Sequence, residues 1–80
     1  MVDEKQPIPA KEIVRNPDMI HTLVQQYVML RDTSIMNTFK NTISAVNLLG
    51  DRGWEVVTMA VENGTLYTLV RNTAYKRKFS

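Results

Sequence analysis

Hydrophobic and polar positions change period along this chain, and the sharpest signal lies near its end. Trp54 to Val61 and Thr65 to Val70 are rich in β-branched, aromatic and long apolar residues. Asn63-Gly64 sits between them, a sequence suited to the two-residue type I′ turn, so the spacing predicts a β-hairpin. Such a turn sets the register. On one face Val61 is expected opposite Leu66, Met59 opposite Thr68, and Val57 opposite Val70. On the other, Ala60 is expected opposite Tyr67, Thr58 opposite Leu69, and Val56 opposite Arg71.

Upstream the period lengthens. Met36, Phe39, Ile43, Val46 and Leu49 recur at three- and four-residue spacing, which predicts an amphipathic helix over about 36–50. Asn37, Lys40, Asn41, Ser44 and Asn47 fill the other side. Asp32-Thr33-Ser34 offers capping side chains. Arg52 suits the negative C-terminal end, and Gly50 and Gly53 suit termination, Gly53 with a positive φ. Thr38, Asn41 and Thr42 are mediocre helix formers, so tertiary packing must hold the helix.

Residues 17–31 carry two patterns at once. Asn16-Pro17-Asp18 is a good helix start, and Ile20, Leu23, Val24, Tyr27 and Leu30 continue at helical spacing. Yet Val24, Gln26, Val28 and Leu30 alternate with Gln25, Tyr27 and Met29 as in a strand. Periodicity leaves both open. Residues 1–16 read as an arm, with Pro7, Pro9 and mixed charge. Disorder is expected through Gln6 and a short helical turn is allowed over Ala10–Arg15. Residues 17–73 form the single domain, and 74–80 a basic tail.

Composition narrows the class. A chain of 80 residues makes one domain with a small core, and chains of this size often add disulfides, metals or oligomerisation. It has no cysteine and one histidine, His21, which excludes disulfides and the usual zinc sites. Oligomerisation remains. The net charge of +2 does not by itself imply a polyanion partner. The polar start lacks a signal-peptide core, and no apolar run is long enough to span a membrane. The reading is a cytoplasmic protein without a membrane partner.

The segment VNLLGDRGWEVVTMAVENGTLYTLVRN resembles the domain-of-unknown-function family numbered four-one-seven-seven. Leu48, Leu49, Gly50, Gly53, Trp54 and Glu55 match its helix-to-strand junction, and Leu66 to Arg71 its closing strand. The family's first strand would fall on QYVMLRD, residues 26–32, so the resemblance covers about residues 23–72. It implies a strand-helix-hairpin fold and no established activity, and it selects a strand over about 23–31. The expected architecture is α+β: strand-helix-strand-strand in a three-stranded antiparallel sheet. The last strand lies in the middle, one helix packs on one face, and an N-terminal arm precedes the domain.

Candidate chemistry is sparse. His21 has no partner in sequence suited to acid–base work, and Asp51 with Glu55 reads more simply as solvated charges than as a carboxylate dyad. No phosphate loop, nucleophile elbow or zinc-protease pattern occurs. We expect no enzyme, no cofactor and no metal. Trp54, Val56, Tyr67, Leu69 and Arg71 fall on one hairpin face in the expected register, with Arg71 diagonal to Trp54. Such a set suits a subunit interface or an anionic, nucleotide-like ligand. Lys76, Arg77 and Lys78, flanked by Tyr75 and Phe79, are a weaker candidate for nucleic acid. Both hairpin faces read as apolar, and one helix covers only one. The other needs a second copy of the chain or the arm, with Ile8, Ile13, Val14 and Ile20. The leading expectation is therefore a self-associating interaction module, a dimer or higher even-numbered assembly. Ligand binding and nucleic-acid binding are the alternatives.

Overall fold

The computed structural model describes residues 7–34 and 38–74. The disorder expected through Gln6, the Met36 position of the helical stripe and the basic residues Lys76, Arg77 and Lys78 lie outside the described residues.

The hairpin forms on the expected turn. Asn63 and Gly64 have φ of 53° and 78°, the pair of positive values a type I′ turn requires. They join β3 (Trp54–Glu62) to β4 (Thr65–Asn72). From the turn back to Thr58 every expected pairing is present: Val61 with Leu66, Met59 with Thr68, Ala60 with Tyr67, and Thr58 with Leu69. There the ladder shifts by one residue at Val57. Val56 pairs with Val70, Glu55 with Arg71 and Trp54 with Asn72. The expected Val56–Arg71 and Val57–Val70 pairings do not occur. An extra residue in one strand of a period-two ladder moves every residue beyond it to the opposite face. Trp54 and Val56 therefore share the face of Leu66, Thr68 and Val70.

β2 (Tyr27–Thr33) pairs antiparallel with β4 and buries Val28, Leu30 and Asp32 in alternation. α2 (Lys40–Gly50) follows, starting later than its hydrophobic stripe predicts. Its cap position is Phe39, left-handed at φ 48° and without a capping oxygen. The oxygen comes from β2: Asp32 Oδ2 accepts from the Thr42 backbone N–H and from its hydroxyl, both at 3.0 Å. Asp32, expected as a local cap, thus acts across the fold. The contact also orients the helix. Thr42, Ala45 and Leu49 face inward, while Ile43, expected on the buried stripe, lies outward at 59% exposure. Gly53 takes the positive φ expected of it, 88°.

The N-terminal segment changes the sheet. β1 (Ile8–Pro9) pairs parallel with Leu30 and Arg31 of β2. The sheet is four-stranded and mixed, in the order β1-β2-β4-β3, not three-stranded and antiparallel. Adjacent parallel strands need a crossover, and α1 (Ala10–Arg15) with a 3₁₀ segment (Pro17–Thr22) supplies it. The prolines that suggested a loose arm are compatible with this path. Pro9 sits on a two-residue edge strand and Pro17 opens a helical turn, both positions where a missing N–H is tolerated.

Ala10, Ile13 and Ile20 enter one core with Val28, Leu30, Ala45, Leu49, Trp54 and Val70. Both helices and the 3₁₀ segment therefore cover the same sheet face. Among the described residues the arm packs on this face and not on the other.

Candidate functional site

Two surfaces follow from this arrangement: the sheet face opposite the helices and the free edge of β3. On the open face Met29 pairs with Leu69, and Tyr67 lies between Arg31 and Ala60. Met29, Tyr67 and Leu69, each half-exposed, form its apolar centre. Beside it a row of Tyr27, Arg71 and Glu55 crosses β2, β4 and β3. The Arg71 guanidinium donates to the Glu55 carboxylate in an ion pair. That hydrogen bond, then the charge of Glu55, raises the Arg71 pKa above its ordinary value, and Tyr27 adds to the effect. The Arg71 Nε is shielded from solvent and has no partner among the described residues.

The sequence-derived set divides. Tyr67, Leu69 and Arg71 share the open face. Trp54 and Val56 do not, because the shift at Val57 turns them to the helix side. Trp54 is 5% exposed within the core, so the expected diagonal contact between its ring and Arg71 is not made. Tyr27, Met29 and Glu55 take their places. The first two were legible in the alternation of QYVML, once paired with the closing strand. Glu55 was not, because its face depends on the irregularity.

The edge of β3 is the second surface. Beyond Trp54 every residue of this nine-residue strand is exposed, including Val56, Val57, Met59 and Val61 at 38%, 49%, 47% and 59%. β4 is its sole neighbour among the described residues. No lysine or proline interrupts the strand, although these are common edge-blunting devices. The bulge at Val57 protects only the half nearest Trp54.

Other candidate chemistry stays dispersed. His21 is exposed, and Glu55 is engaged by Arg71 rather than paired with Asp51. No group of three or more metal-ligating side chains occurs among the described residues. Pro9, Lys11, Arg31, Asp32, Thr33 and Asn41 line a depression of about 110 Å³, below the roughly 300 Å³ at which ligand pockets begin. No helix among the described residues is long and apolar enough to cross a membrane. No family model, curated protein or solved structure matches this chain.

Proposed function

We propose that this protein is a non-catalytic, self-associating interaction module whose smallest working unit is a dimer. The observation that carries the reading is β3: an edge strand that has one neighbour among the described residues and presents Val56, Val57, Met59 and Val61 to solvent. Exposed contiguous apolar surface on a small domain marks an association site, and a second copy would extend a core that no disulfide reinforces. Light scattering after size exclusion tests it. A mass of two or more times 9.2 kDa at micromolar concentration is expected, and a mass of 9.2 kDa at every concentration overturns it.

A second reading, binding of an anionic or nucleotide-like ligand, rests on Arg71 between Tyr27 and the neighbouring strand of the open face. It is the weaker reading because Glu55 already occupies the guanidinium and an incoming anion must displace it. A thermal-shift screen with nucleotides is the check: a ligand at 100 times its Kd adds about 2.7 kcal/mol.

A further inference from the structure

We infer that the dimer forms by antiparallel pairing of β3 with β3 of a second copy, centred on Ala60, to give one continuous eight-stranded sheet. The inference rests on the self-association reading and specifies its contact. The argument begins with backbone groups. In a two-residue hairpin the residues flanking the turn, here Glu62 and Thr65, form a hydrogen-bonded pair, and such pairs alternate along an antiparallel ladder. Glu62, Ala60 and Thr58 therefore turn their N–H and C=O groups toward β4. Met59 and Val61 turn theirs to the free edge. A row of donors and acceptors without a partner strand among the described residues fits another strand better than any other occupant.

Parity and charge then select the register. A two-fold axis at Ala60 places Met59 opposite Val61 of the partner subunit, so that each edge-facing pair exchanges both backbone hydrogen bonds. This register uses Thr58 to Glu62 and stops short of the bulge at Val57. Moving the axis to Met59 brings the bulge into the ladder, and moving it to Val61 shortens the pairing. With the axis at Ala60, Glu62 faces Thr58 of the partner subunit, so the carboxylates at the strand end are not opposed. Glu55, the other acid on β3, is held by Arg71. On the helix side Met59 and Val61, exposed in the single chain, cover one another. Ala60, the smallest side chain on the strand, occupies the close pair on the axis.

Cysteine substitution reads this register directly, because the chain has no cysteine of its own. Opposed non-hydrogen-bonded residues have Cα atoms about 4.5 Å apart, within disulfide reach. Diagonal neighbours lie about 7–8 Å apart, beyond it. Under mild oxidation Ala60→Cys is expected to give a covalent dimer at least about tenfold faster than Met59→Cys, whose counterpart is diagonal. Val61→Pro removes an N–H that the chain's own hairpin does not use, so the far-ultraviolet spectrum should persist while the mass falls to 9.2 kDa. If Val61→Pro does not fold, the crosslinking comparison decides. Wild-type protein that is monomeric throughout overturns both the inference and the self-association reading. An oligomer in which Ala60→Cys crosslinks no faster than Met59→Cys overturns the inference alone. Open-face packing through Met29 and Leu69 would then remain.

Discussion

Asp32 on β2 holds the start of α2 through Thr42, ten positions along the chain. One carboxylate oxygen receives two donors, and both residues are buried, at 7% and 2% exposure. Removing a partner from such a contact strands the buried donors, which costs more than the net value of a hydrogen bond. Asp32→Ala should destabilise the fold by about 2–3 kcal/mol. Asp32→Asn retains an acceptor oxygen and should cost about 1 kcal/mol. Urea denaturation measures both, and an alanine variant within about 0.5 kcal/mol of wild type would show that α2 does not depend on this cap.

Thr68 presents the opposite case. Its side chain is wholly buried on the helix side of β4, and its hydroxyl has no hydrogen-bond partner among the described residues. Valine keeps the branched shape and the strand preference while removing the unsatisfied group. Thr68→Val should raise stability by about 1 kcal/mol. A melting temperature below wild type would mean that the hydroxyl has a partner in solution.

Trp54 joins the hairpin to the helices. It is 5% exposed and packs in the cluster that contains Leu49 and Val70. Trp54→Ala should cost about 3–5 kcal/mol, a large part of the roughly 5–15 kcal/mol that holds a small domain together. The wild-type indole should emit at the short wavelengths of a buried ring. Emission typical of water, or a variant with unchanged melting temperature, would contradict the burial.

Two glycines should respond in opposite directions to the same substitution. A Cβ at Gly64 meets nothing, but the residue sits at φ 78°, so Gly64→Ala should cost about 1–2 kcal/mol from backbone conformation alone. A Cβ at Gly50 also meets open space, and there the backbone is helical. Gly50→Ala should stabilise by about 0.5–1 kcal/mol. Paired thermal melts would show whether the signs differ.

Much of the hairpin and part of the helix were legible in the chain, because their signals are local. Asn63-Gly64 can satisfy a type I′ turn whatever surrounds it, and the turn dictates the register of the next few pairs. That authority ends at Val57. Val56-Val57 is a pair of like residues suited to either face, so nothing local marks the added residue that carries Trp54 into the core and leaves Arg71 on the open side.

Sequence by itself determined an α+β chain with a helix before Gly53 and a hairpin at the end, and its periodicity left residues 17–31 open between helix and strand. The helix and the hairpin follow from spacing within a few residues. Tertiary structure alone decided the rest. Ile8 and Pro9 become a strand because Leu30 and Arg31 offer them an edge, and Ala10, Ile13 and Ile20 are buried because β2 and α2 leave room on one face. α2 presents Thr42 inward and Ile43 outward because Asp32 draws it there. These contacts link residues far apart in the chain, and local periodicity carries no information about which distant partner a side chain will meet.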